Sequence, residues 1–96
     1  MPPSEERKKK VDTEALHSSF MRIPRMKVEV ARYLLDVGYQ DIFELEGRSP
    51  ETLHEDVKRH HPDLRPDTLQ YLRMAVYCAE NEQPDPKKCH PTAWFD

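Results

Sequence analysis

The sequence predicts an all-α fold of four main helices plus one short helical turn, and three observations carry that prediction. Apolar residues recur at three- and four-residue spacing, the period of a helix with one buried face. No β-branched alternating run appears. Nine prolines and two glycines stand at the edges of the periodic segments rather than within them. At 96 residues the chain fits one small domain, over about 12–96, with a modest core. Residues 1–11 hold two prolines and the run Arg7-Lys8-Lys9-Lys10, and they read as a disordered basic arm.

The elements follow in chain order. Asp12 is placed to cap a first helix over about 13–20, with Ala15, Leu16 and Phe20 toward the core. Pro24 breaks the chain, and a second helix runs over about 27–36 with Val28, Ala31, Leu34 and Leu35 on its buried face. Gly38 follows where a left-handed helix end favours glycine. Tyr39 to Glu46 contains Ile42, Phe43 and Leu45 and reads as the short turn dipping into the core. Ser49-Pro50-Glu51 supplies a cap, a first-turn proline and an acid at the positive end of a helix over 50–60, with Leu53 and Val57 inward. His61-Pro62 ends it. Pro66 opens the longest helix, about 66–81, whose inward set is Leu69, Leu72, Ala75, Val76 and Ala79. Three prolines keep the last stretch irregular. It closes on Trp94-Phe95, whose apolar area predicts a tail folded back on the helices.

The stretch from Phe20 to Leu35 resembles a helix-hairpin-helix unit, with Ile23, Pro24, Met26, Ala31 and Leu34 in the places of that motif. Residues 16–96 further resemble the pathogenicity locus family, some members of which carry the label mitomycin resistance protein. Arg73 to Ala79 is similar to its long late helix, and Asp85-Pro86-Lys87 to Trp94 is similar to its tail. The resemblance implies a fold of helix-hairpin-helix or sterile-alpha-motif-like type. It also implies phosphate binding, through backbone amides at the start of the second helix. Arg25 and Lys27 stand where that motif has glycines, which let a backbone approach phosphate closely. Both replacements are cations, able to meet phosphate as donors and point charges.

The nucleic-acid reading therefore places Arg25, Met26, Lys27 and Val28 at the phosphate-facing hairpin and Arg22 and Arg32 as flanking charge. With Glu29 counted, those four cations give the segment a local +3, in a chain whose net charge is −3. Scaffolds of this kind also serve as protein-interaction modules, the alternative function. Binding of duplex DNA would be sequence-independent, since contacts to phosphate position a protein without reading bases.

Other chemistries find less in the sequence. His60, His61, Cys78, Cys89 and His90 are of zinc-ligating type, yet no Cys-x-x-Cys pair exists, so no metal or other cofactor is expected. A Cys78–Cys89 disulfide is conceivable in geometry and disfavoured in a reducing compartment. Asp41, Glu44, Glu46, Ser18 and Ser19 lack the convergent partners that catalysis requires, and a small helical chain leaves little room for a cleft of about 300 Å³. No enzyme activity or small-molecule substrate is expected. No apolar run approaches the roughly 20 residues of a membrane span, and no apolar stretch follows the basic start, so the expected address is the cytoplasm.

Overall fold

The computed structural model describes residues 12–81 and 83–94, and its regular elements are all helical. The expected basic arm and Phe95 lie outside the described residues. Helix α1 spans Thr13–Leu16, started by the Asp12 carboxylate, which accepts from the Ala15 amide at 3.2 Å. It stops four residues short of the predicted end. Ser18 donates its hydroxyl to the Ala15 carbonyl at 2.7 Å, a local bond that competes with helix continuation. The chain then turns extended at Ser18 and resumes as a 3-10 turn over Ser19–Arg22. That break leaves Leu16 41% exposed, against the predicted inward position, while Ala15 and Phe20 are fully buried.

Helix α2 runs Val28–Asp36, one residue inside its predicted start, with Lys27 as its cap position. Its end follows the glycine expectation. Gly38 takes φ +105°, the Tyr39 amide reaches back to the Leu34 carbonyl, and the Gly38 amide reaches Leu35, both at 3.0 Å. A 3-10 turn over Ile42–Leu45 buries Leu45 and leaves Phe43 66% exposed. Helix α3 spans Pro50–His60, as the Ser49-Pro50 signal predicts, and the Thr52 amide donates to Ser49 Oγ at 3.3 Å.

Helix α4 spans Thr68–Glu80, beginning two residues beyond Pro66. The Arg65–Asp67 ion pair at 2.9 Å and the bond from Thr68 Oγ1 to the Arg65 carbonyl at 2.6 Å close a separate turn there. Leu72, Ala75 and Val76 are buried as predicted, Leu69 and Ala79 are half-buried, and Thr68, Tyr71 and Met74 are buried as well. The wider face has a packing cause: α4 meets α3, the Ile42–Leu45 turn and the tail, whereas α1 rests on α2. A single helical stripe serves one neighbour; a central helix needs more.

The tail folds back as expected. Tyr77 Oη accepts from the Asp85 amide at 2.8 Å, Arg73 Nη1 donates to the Trp94 carbonyl at 2.7 Å, and Trp94 Nε1 donates to the Lys88 carbonyl at 2.9 Å. Trp94 itself is only half-buried, its ring 5.5 Å from that of Tyr77. Among the described residues, no helix is long and apolar enough to cross a membrane.

Candidate nucleic-acid interface

The hairpin between the Ser19–Arg22 turn and α2 is a tight turn closed by the Met26 amide on the Ile23 carbonyl at 3.1 Å. Proline stands second in this turn, and Arg25 stands third with φ +64°, the left-handed position of a type II turn. Glycine is the usual occupant because a side chain there strains the backbone. Arg25 accepts the glycine conformation, and its Nη1 donates to the carbonyl of Cys89 in the tail at 3.3 Å. Ile23 and Met26 are buried at 3% and 7% and root the hairpin in the core. Met26 thus serves the site as an anchor, with its side chain inward and its amide engaged within the turn.

The first amides of any α-helix lack intrahelical partners, and Lys27 provides no side-chain cap to those of α2. Val28, the first helical residue, is half-buried. Arg22, Arg25 and Lys27 are exposed around this helix start. The field of Lys27 reaches Asp67, whose carboxyl is held below its ordinary range chiefly by the bond from Arg65, with Lys27 a lesser contributor.

Arg32 has a different position. Its Nε and Nη2 meet the two Asp12 oxygens at 2.7 Å each, Nη2 also meets Glu14 at 2.9 Å, and Nη1 meets Asp36 at 3.0 Å. The guanidinium joins α1 to α2 as a hub held by three carboxylates. The local +3 counted along residues 22–32 is therefore offset by acids that folding brings in. Glu29, already counted in that sum, lies 3.8 Å from Arg65. Within residues 22–32 the exposed cations are Arg22, Arg25 and Lys27.

The hub predicts an acid response. The bonds from Arg32, followed by that from the Ala15 amide, hold Asp12 down at about 2. Asp36 is also lowered: burial opposes its ionisation, and the bonds from His61 and Arg32 outweigh that opposition. For a carboxylate whose folded pKa lies below its unfolded one, near about 3.9, the stabilisation is present above the unfolded value. It is lost as pH falls through the folded one. The thermal midpoint should accordingly drop between about pH 5 and pH 2, and Arg32→Gln should flatten that drop. Equal pH slopes in parent and variant would remove the hub from the account.

The remaining candidates fall elsewhere. Among the described residues, no cluster of three His, Cys, Asp or Glu side chains is arranged to hold a metal. An open groove of about 550 Å³ lies between α3, α4 and the tail, larger than the sequence suggested, because the docked tail supplies its second wall. Arg48, Glu51, Arg73, Tyr77, Glu80 and Trp94 line it, and among the described residues its lining holds no serine, cysteine or histidine. Asp41, Glu44 and Glu46 sit in and beside the Ile42–Leu45 turn, where Glu44 Oε1 accepts from the Gln40 and Asp41 amides at 2.6 and 3.0 Å. Those bonds hold the Glu44 carboxyl below its ordinary range and give it a structural task.

Fold and hairpin together define the class: a small all-α chain carrying a left-handed turn at the mouth of an uncapped helix. In comparison with known proteins, the chain matches no family model, no curated protein and no solved structure.

Proposed function

We propose that this chain is a non-catalytic module that binds the nucleic-acid backbone, without sequence preference, at the hairpin of residues 23–28. The observation carrying this reading is the backbone of Arg25. An arginine held at φ +64° keeps the turn that a glycine would make, and it leads into a helix start that has no side-chain cap and is flanked by the exposed Arg22, Arg25 and Lys27. Helix-start amides and cations are the groups that meet phosphate oxygens. The resemblance to the pathogenicity locus family agrees with this reading and rests on the same hairpin, the long α4 and the tail. Arg32, bound by three carboxylates, is left out of the proposed contact set.

The test is a titration of labelled duplex DNA by fluorescence anisotropy at several salt concentrations. The hairpin cations Arg25 and Lys27 with the flanking Arg22 give an expected slope of log affinity against log salt of about −2 to −3, and scrambled duplexes bind alike. Absence of binding at about 50 mM salt and high micromolar protein would end the nucleic-acid reading.

A second reading, a protein-interaction module on the same scaffold, has its own observation. Phe43 stands 66% exposed on the Ile42–Leu45 turn. The Ile42 amide donates to Ser19 Oγ at 2.8 Å, which sets that turn beside the chain that leaves the 41% exposed Leu16. A silent DNA titration would favour this reading.

A further inference from the structure

Two free thiols meet between α4 and the tail. Cys78, near the end of α4, and Cys89, at the end of the 3-10 turn Pro86–Lys88, place their sulfurs 3.8 Å apart. Cys89 is buried at 3% and Cys78 is half-buried. The Cys89 carbonyl also accepts from Arg25, so one residue touches the helix, the tail and the hairpin. We propose that Cys78 and Cys89 are a redox-responsive pair that closes to an intramolecular disulfide and locks the C-terminal tail onto α4. This inference is independent of the nucleic-acid reading.

The geometry supports closure. A disulfide needs sulfurs about 2.05 Å apart, and side-chain rotation supplies much of the remaining approach when the two thiols already touch. The reaction is thiol–disulfide exchange with a small-molecule disulfide such as oxidised glutathione. The Cys78 thiolate, the more accessible of the two, attacks one sulfur of the oxidant and expels one glutathione thiolate. The Cys89 thiolate then attacks the Cys78 sulfur of the mixed disulfide and expels the second. Two cysteine thiols are oxidised and one glutathione disulfide is reduced to two thiols, which take up the two protons. Burial, then the neighbouring Cys89 thiol, pushes the Cys78 thiol up, so the rate should rise with pH through the neutral range.

The consequence is mechanical. Reduced, the tail is held by the Tyr77, Arg73 and Trp94 hydrogen bonds and by ring contact. Oxidised, it is tied covalently across an eleven-residue separation, and the Cys89 carbonyl is fixed beside Arg25.

The experiment incubates the full chain with oxidised glutathione at pH 8, quenches with acid, and measures intact mass and thermal midpoint. The expected product is monomeric on a non-reducing gel, lighter than the parent by two hydrogen atoms and free of glutathione. Its midpoint should rise by roughly 5–15 °C and return on treatment with dithiothreitol. Cys78→Ser should abolish both the mass loss and the rise. A parent chain that ends as a stable glutathione adduct, as a disulfide-linked dimer or unreacted would overturn the pairing. An intramolecular bond that leaves the midpoint unchanged would overturn the lock. Both readouts come from the parent chain, so the outcome does not depend on the variant folding.

Discussion

Phe20→Ala is expected to destabilise the protein by about 3–5 kcal/mol, the range for truncating a fully buried phenylalanine. Phe20 has no exposed surface and lies in the Ser19–Arg22 turn, immediately before the hairpin. Truncation leaves a cavity in a core with few large side chains, and the surrounding turn is held by the Met21 and Ile23 amides bonding to Ser18 and Phe20 carbonyls. Small domains have total stabilities of about 5–15 kcal/mol, so the variant should unfold at a far lower urea midpoint, if it folds at all. A ~1 kcal/mol shift moves the thermal midpoint by about 4–8 °C at this size, which puts the expected loss well outside measurement error. A loss below about 1 kcal/mol would show that the site repacks and that the hairpin does not depend on this ring.

The second large effect concerns binding. Arg25→Glu combined with Lys27→Glu replaces two attractive charges by two repulsive ones at the helix start, and duplex DNA binding should fall below detection at moderate salt. Circular dichroism should report retained helix content, because both side chains are exposed. Unchanged affinity would place any DNA contact elsewhere on the surface. Arg25→Gly separates two contributions within the same proposal. Glycine takes φ +64° without strain and opens the backbone, while one cation is lost. If backbone amides dominate, affinity should hold or improve. If side-chain charge dominates, affinity should fall and the salt slope should flatten by about one unit.

Much of the fold was legible because its signals are local. Ser49-Pro50 and His61-Pro62 bracket α3 to the residue, and Gly38 marks the end of α2 through bonds that span at most five positions. The proline and the apolar residues of the hairpin likewise announce a turn, and the turn forms. The first helix ends early at a local bond, from the Ser18 hydroxyl to the Ala15 carbonyl, and a non-local one holds the chain beyond it. Ser19 serves as acceptor for the Ile42 amide, 23 residues away, and the chain bends at Ser18 to place it. Periodicity cannot register that partner.

The candidate site divides along the same line. The residue types and the turn at Ile23 to Met26 were set by the sequence alone, since proline fixes its own φ and the apolar residues on either side seek the core. Which cations remain at the surface was decided by tertiary structure. Arg32 meets Asp12 across 20 residues, Arg25 meets the Cys89 carbonyl across 64, and Cys78 meets Cys89 only because the tail turns back. A charge sum along a segment counts only covalent neighbours. Coulomb attraction and hydrogen bonding act through space, so carboxylates from α1 neutralise a cation of α2 that the sequence displays as free.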